Sequence, residues 1–168
     1  MSLDDIVEQL QRSRSDTVET MELLRASRQQ IEEHAKQLEG PGAALEYVDF
    51  FLGFFGGAAA DLERMCAELP RGPTRAHLDL LREIASNASI EHRRCLMFRD
   101  KWINKPLPDE RMRPLLNQLS TDSRDQLAAY RGLNNAALSL ETLAGPDTAS
   151  PDKGKLDRRA LFTRWFGR

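Results

Sequence analysis

The chain has 168 residues, 40% of them hydrophobic and 30% charged. That is enough for one domain with a buried core, and a mean hydropathy of −0.53 excludes a chain built mainly of membrane spans. The net charge is only −2, but residues 145–168 carry six Lys/Arg against three Asp, a local +3 that leaves −5 on the body; an acidic body with a basic end speaks against nucleic acid for the body and points the end toward an anionic surface or an acidic partner.

The first predicted element is a long helix over residues 3–38. Leu3, Leu10, Thr17, Leu24, Ile31 and Leu38 recur every seven residues. The companion positions Ile6, Ser13, Thr20, Ser27 and His34 are mostly polar, so the seam is narrow and soft. Such a seam packs against a partner helix but specifies it poorly, which leaves room for homo-oligomer formation through this helix. Gly40-Pro41-Gly42 ends it, because Gly suits a C-terminal cap and Pro cannot continue a helix.

Residues 43–69 predict a second helix. Leu45, Val48, Leu52, Phe55, Ala59, Leu62, Cys66 and Leu69 alternate spacings of three and four, while Tyr47, Phe51, Phe54, Ala58 and Met65 widen the apolar arc. With more than half of its circumference apolar, this helix is expected at the centre. The uncharged run Phe50–Ala60 covers eleven residues, which reads as too short to span a bilayer. Pro70-Arg71-Gly72-Pro73 closes the segment. A third helix is predicted over 74–104, with Thr74 as N-cap and a stripe through Leu78, Leu81, Ala85, Ala88, His92, Cys95 and Trp102. Residues 105–113 read as a loop. Pro114 suits the start of a fourth helix running to Ala144, with a kink or break expected at Ser120-Thr121-Asp122-Ser123. No run alternates with period two, so no strands are predicted.

The resulting fold class is all-α: an antiparallel bundle of about four helices over 1–144, joined up-down-up-down by short loops. A flexible linker over 145–155, rich in Gly, Pro and Ser, precedes a short C-terminal amphipathic tail over 156–168. Cys66 and Cys95 are too few for a disulfide framework and have no metal-site spacing, so they read as free thiols in a reducing compartment. Met1 to Asp5 lacks the features of a signal peptide, which makes the cytoplasm the expected location, with a peripheral position at the inner membrane surface as a variant.

Two segments carry the functional interest. In the second helix, Gly53, Gly56 and Gly57 lie inside an otherwise apolar helix, each costing about 1 kcal/mol relative to Ala. Gly53, Gly56 and Gly57 share a side with Glu46 and Asp49, away from the apolar seam; Gly53 and Gly57 sit four apart, and Phe50 and Phe54 flank them. This arrangement reads as a groove for another helix or an apolar ligand, or as ordinary close packing within the chain. In the tail, Leu161, Phe162, Trp165 and Phe166 occupy one arc. Arg159 borders one side of it, Arg164 and Arg168 border the other, and Arg158 falls within it. That pattern suits an anionic membrane interface, a helix-in-groove contact with a protein partner, or a fold-back onto the chain's own bundle.

No catalytic constellation emerges. Neither Glu32-Glu33-His34 nor Glu91-His92 has metal-bundle spacing, no phosphate loop exists, and no nucleophile has an identifiable base. His34 and His92 fall on seam positions, where a packed histidine is the ordinary outcome. Arg93-Arg94 and Arg111-Met112-Arg113 offer at most a small anion site. No cofactor or metal is expected. The sequence therefore favours a non-enzymatic helical interaction protein: an adaptor, assembly factor or small structural subunit. The alternative is a ligand-binding or sensory bundle with an apolar pocket near the second helix, between it and the third, lined by Phe50, Phe51, Phe54 and Phe55.

Overall fold

The computed structural model describes residues 1–38 and 40–145. The linker from residue 146 and the tail lie outside them, as do all the tail residues singled out above: Arg158, Arg159, Leu161, Phe162, Arg164, Trp165 and Phe166. The described residues are all-α, without strands.

Helix α1 spans Leu3–Glu33. The Ser2 hydroxyl accepts from the Asp5 N–H at 3.2 Å, and the Asp5 carboxylate accepts from the Ser2 N–H at 2.7 Å, a reciprocal N-terminal cap. The helix stops before Leu38, five residues short of expectation. A 3₁₀ turn, Ala35–Gln37, takes over, and Leu38 still reaches the core. His34 caps α1 in the open instead of packing on the seam. Gly40, at φ 68°, makes the left-handed corner, and Pro41 opens α2, Pro41–Glu68.

Helix α3 spans Arg75–Phe98. His77 secures its start: the Thr74 N–H donates to Nδ1 at 3.1 Å, so Nε2 carries the proton toward Glu68 Oε2, 3.0 Å away. The end of α2 is thereby tied to the beginning of α3. At its far end α3 widens into a π turn, Arg99–Ile103, which buries Trp102. Arg113 then binds the following loop, donating to the Ile103 and Lys105 carbonyls and, at 2.6 Å, to Glu110. That guanidinium, with the Leu107 N–H, holds the Glu110 carboxyl down to about 2.

Helix α4, Arg113–Arg131, runs straight through Ser120–Ser123, where a break was expected. Both serines are buried, and the Ser123 hydroxyl donates to the Leu119 carbonyl at 2.9 Å. Its polar group is satisfied inside the helix, so it has no reason to open it. The interruption comes at Gly132, after which α5, Leu133–Ala144, begins. There the Gly132 N–H bonds to Ala129 at 3.0 Å, and a Cβ would stand only 3.2 Å from that carbonyl oxygen.

Helices α1 and α2 pack most extensively. Val7 meets Cys66, Arg14 meets Glu63, Met21 meets Gly56 and Arg28 meets Asp49, so residue numbers fall along α2 as they rise along α1. Helix α3 packs on α4 and α5, and α1 on α4. The α2 and α3 backbones approach less closely, with aromatic rings between them. Phe51, Phe55 and Tyr130 form the fully buried centre, with the Phe55 and Tyr130 rings edge-to-face at 5.9 Å.

The soft seam of α1 is met inside the chain by α4. Thr17 is fully buried, and its hydroxyl donates to the Ser13 carbonyl at 2.7 Å. Its oxygen is then free to accept from the Tyr130 hydroxyl at 2.7 Å and from Gln126 Nε2 at 3.0 Å. Thr20 closes the set by donating to Gln126 Oε1 at 3.1 Å.

The Pro41–Arg71 stretch reaches a mean hydropathy of 1.2 over eighteen residues. By length and composition it is long enough to cross a membrane, contrary to the reading from the eleven-residue uncharged run. In this fold its apolar arc faces the other helices.

Candidate interaction groove between α2 and α3

The wide α2–α3 spacing has a visible cause. Tyr47 of α2 stacks on Phe98 of α3, with ring centroids 4.1 Å apart. The Tyr47 hydroxyl donates to Cys95 Sγ at 3.2 Å. Burial pushes the Tyr47 and Cys95 ionisations upward, so both stay protonated near neutral pH. Neither is a nucleophile there, and what they offer is a flat apolar floor.

Above this floor lies an open groove of about 520 Å³. Ala43, Glu46 and Tyr47 form its α2 wall, Ile90, Glu91, Arg94 and Met97 rise from α3, and the π turn contributes Lys101 and Trp102. Ile90 is 42% and Met97 66% exposed, high for apolar residues beside an aromatic floor. The groove thus combines a dry base with a rim of mixed charge. Arg94 bridges rim and floor: its guanidinium sits 3.6 Å from the Phe50 ring centre and also donates to Glu91.

The residues expected to form a groove on α2 divide between several environments. Glu46 is exposed on the edge just described. Asp49 is exposed but belongs to the α1 side, where Arg28 Nε donates to it at 2.7 Å. Phe50 is half-buried, edge-on to Phe51 and under Arg94. Gly53 and Gly57 are half-buried, whereas Phe54 is buried among Phe50, Phe51, Phe55 and Tyr130. Phe51 and Phe55, expected to line a pocket in the alternative reading, are fully buried, and the open volume lies a turn nearer the start of α2.

Three of the four arginines singled out as an anion site are held by carboxylates: Arg94 by Glu91, Arg111 by Asp109 and Arg113 by Glu110. Among the described residues no three His, Cys, Asp or Glu side chains gather in a metal-binding set. His92 is half-buried, with Nδ1 lacking a hydrogen-bond partner. Burial, then Arg131 and Arg124, hold its ionisation below the ordinary value.

Sequence reading placed Tyr47 and Trp102 on apolar stripes but not on a shared floor. The missed signal was on α3: Ile90, Leu96 and Met97 are apolar residues off the buried stripe, and all three are exposed. The π turn that orients Trp102 has no marker in the sequence. No protein-family model, curated protein or solved structure matches the chain.

Proposed function

We propose that this chain is a non-enzymatic helical interaction protein, an adaptor, assembly factor or small structural subunit. Its body is an antiparallel up-down-up-down bundle, a reading supported by the opposed numbering of α1 against α2 and by the tie between the end of α2 and the start of α3. The observation that carries the functional reading is the open groove. Exposed Ile90 and Met97 over a stacked aromatic floor make an apolar surface of the kind used for docking. The segment 156–168 is the recruiting element, with Leu161, Phe162, Trp165 and Phe166 supplying buried area and Arg158, Arg159 and Arg164 supplying charge. Its target is a protein partner or an anionic membrane surface, with the chain cytoplasmic or peripheral at the inner face of the membrane.

Affinity capture and flotation on vesicles containing phosphatidylserine, each with the full chain and with 156–168 removed, test this role. Recruitment should vanish on removal while the body keeps its cooperative melt. Equal recruitment by both forms would overturn it. The groove also favours a second reading, a bundle that binds a small apolar ligand or senses one. In that case an apolar fluorophore saturates at one site and Tyr47→Ala abolishes the signal.

A further inference from the structure

We infer that the C-terminal segment 156–168 docks in cis along the crevice between α2 and α3, hiding its own aromatic residues until a target competes for them. The inference rests on the recruiting role proposed for that segment and adds the surface that restrains it.

The crevice has defined edges. Phe50 and Arg94 meet across it, and Glu68 and His77 close its other end. Helical repeat places Phe54, Gly57 and Asp61 in line with Phe50 on α2, and Ile90, Asn87 and Glu83 in line with Arg94 on α3. Phe54 is buried, Gly57 is half-buried and carries no side chain, and Ile90 is an exposed apolar edge. Carboxylates mark the end nearer Glu68: Glu83, half-buried on α3, and opposite it Asp61, itself buried and accepting from Arg64 at 3.2 Å.

The route of the chain fits this surface. Arg82 of α3 donates to Glu141 of α5 at 2.6 Å, so α5 finishes beside the start of α3, where α2 also finishes. From Gly145, residues 146–155 span at most about 35 Å when extended. Asp61 lies about 10 Å along α2 from Glu68, and Glu46 about 33 Å, both within that reach. A helical 156–168 measures about 20 Å, close to the roughly 22 Å from Asp61 to Glu46. Running antiparallel to α2, the segment brings Arg158 and Arg159 to the acidic end, and Trp165 and Phe166 to Phe50 and the aromatic floor. The pairing of basic lead with acidic end, and of aromatic trail with aromatic floor, selects this segment over the acidic body of a second copy, and the short linker selects the chain's own segment over that of another chain. Tethering supplies the effective concentration that lets so short a segment dock reversibly.

Amide hydrogen exchange on the full chain tests the inference, read by mass spectrometry. Residues 156–168 should exchange roughly tenfold slower than free-peptide rates. Gly57→Leu, which fills the crevice, and Glu83→Lys, which reverses its acidic end, should restore peptide rates while the melt stays cooperative. Ile90→Glu serves if Gly57→Leu does not fold. Flotation on phosphatidylserine vesicles should rise in the same variants. Peptide-like exchange in the unaltered chain overturns the inference, as does protection that none of the crevice variants relieves. Vesicle or partner recruitment without protection leaves the recruiting role standing and removes only cis docking. Protection released by the crevice variants without any recruitment supports cis docking and removes the recruiting role.

Discussion

Replacing Thr17 with Val keeps the shape of the side chain and removes its oxygen. In the unaltered chain that oxygen accepts from Tyr130 and Gln126 and sends its own proton to Ser13, all within a site where Thr17 and Tyr130 are fully buried. Burial drives the Tyr130 ionisation upward, so its hydroxyl remains a donor throughout the accessible pH range. Thr17→Val leaves two buried donors without an acceptor, and each stranded group costs about 1–3 kcal/mol. Part of that is recovered because Val needs no partner of its own, leaving an expected loss of about 2–4 kcal/mol. Tyr130→Phe removes one donor and strands nothing, since Thr17 keeps Ser13 and Gln126, so about 0.5–1.5 kcal/mol is expected. The double variant should lose less than the sum by at least about 0.5 kcal/mol, because the two residues share one bond. Urea unfolding at constant m-value measures all three. A Thr17→Val chain within about 0.5 kcal/mol of the unaltered one would refute the reasoning.

Gly56→Ala should stabilise by about 0.5–1 kcal/mol, because the new methyl meets only the mobile end of Met21, 3.4 Å away; a loss on urea unfolding would show that Met21 cannot move. Phe55→Ala empties the fully buried centre between Phe51 and Tyr130 and should cost about 3–5 kcal/mol by the same assay. The depressed His92 ionisation means that the unfolded chain takes up this proton first. Its contribution is therefore intact above the ordinary value of 6.5 and is lost as pH falls below it toward the lowered value. Melting curves at about pH 7.5 and about pH 5.5 should show a smaller shift in His92→Gln than in the unaltered chain.

Chain-local signals were the readable ones. Gly40-Pro41, Pro70–Pro73 and Pro106–Pro108 mark helix boundaries because Gly and Pro act on their own backbone, and all three lie where helices are interrupted. The seven-residue spacing of α1 was legible too, even past the point where the helix stops, since a 3₁₀ turn still delivers Leu38 to the core. Polar residues within helices misled. Thr17 and Thr20 read as a weak seam, and Ser120–Ser123 as a break. Their meaning depends on Gln126, Tyr130 and Leu119, and a one-dimensional pattern does not reveal which acceptor a buried hydroxyl will find. The groove was hidden for a related reason: it needs residues of α2 and α3 far apart in sequence, 48 positions for Tyr47 and Cys95, together with a π turn that shifts the phase of Trp102.

The regular spacing of α1 carries a hazard that the fold has to answer. A helix with apolar residues at 3, 10, 24 and 31 looks nearly the same to its neighbours after sliding one heptad, about 10.5 Å, along its axis. Leucine would replace leucine, and hydrophobic burial would discriminate little between the two settings. Thr17 is the odd member of that series. In a slipped arrangement a leucine would face the Tyr130 hydroxyl and the Gln126 amide, and the threonine hydroxyl would enter an apolar layer. One polar position thus gives a repetitive helix an address, much as a single buried asparagine does in a coiled coil.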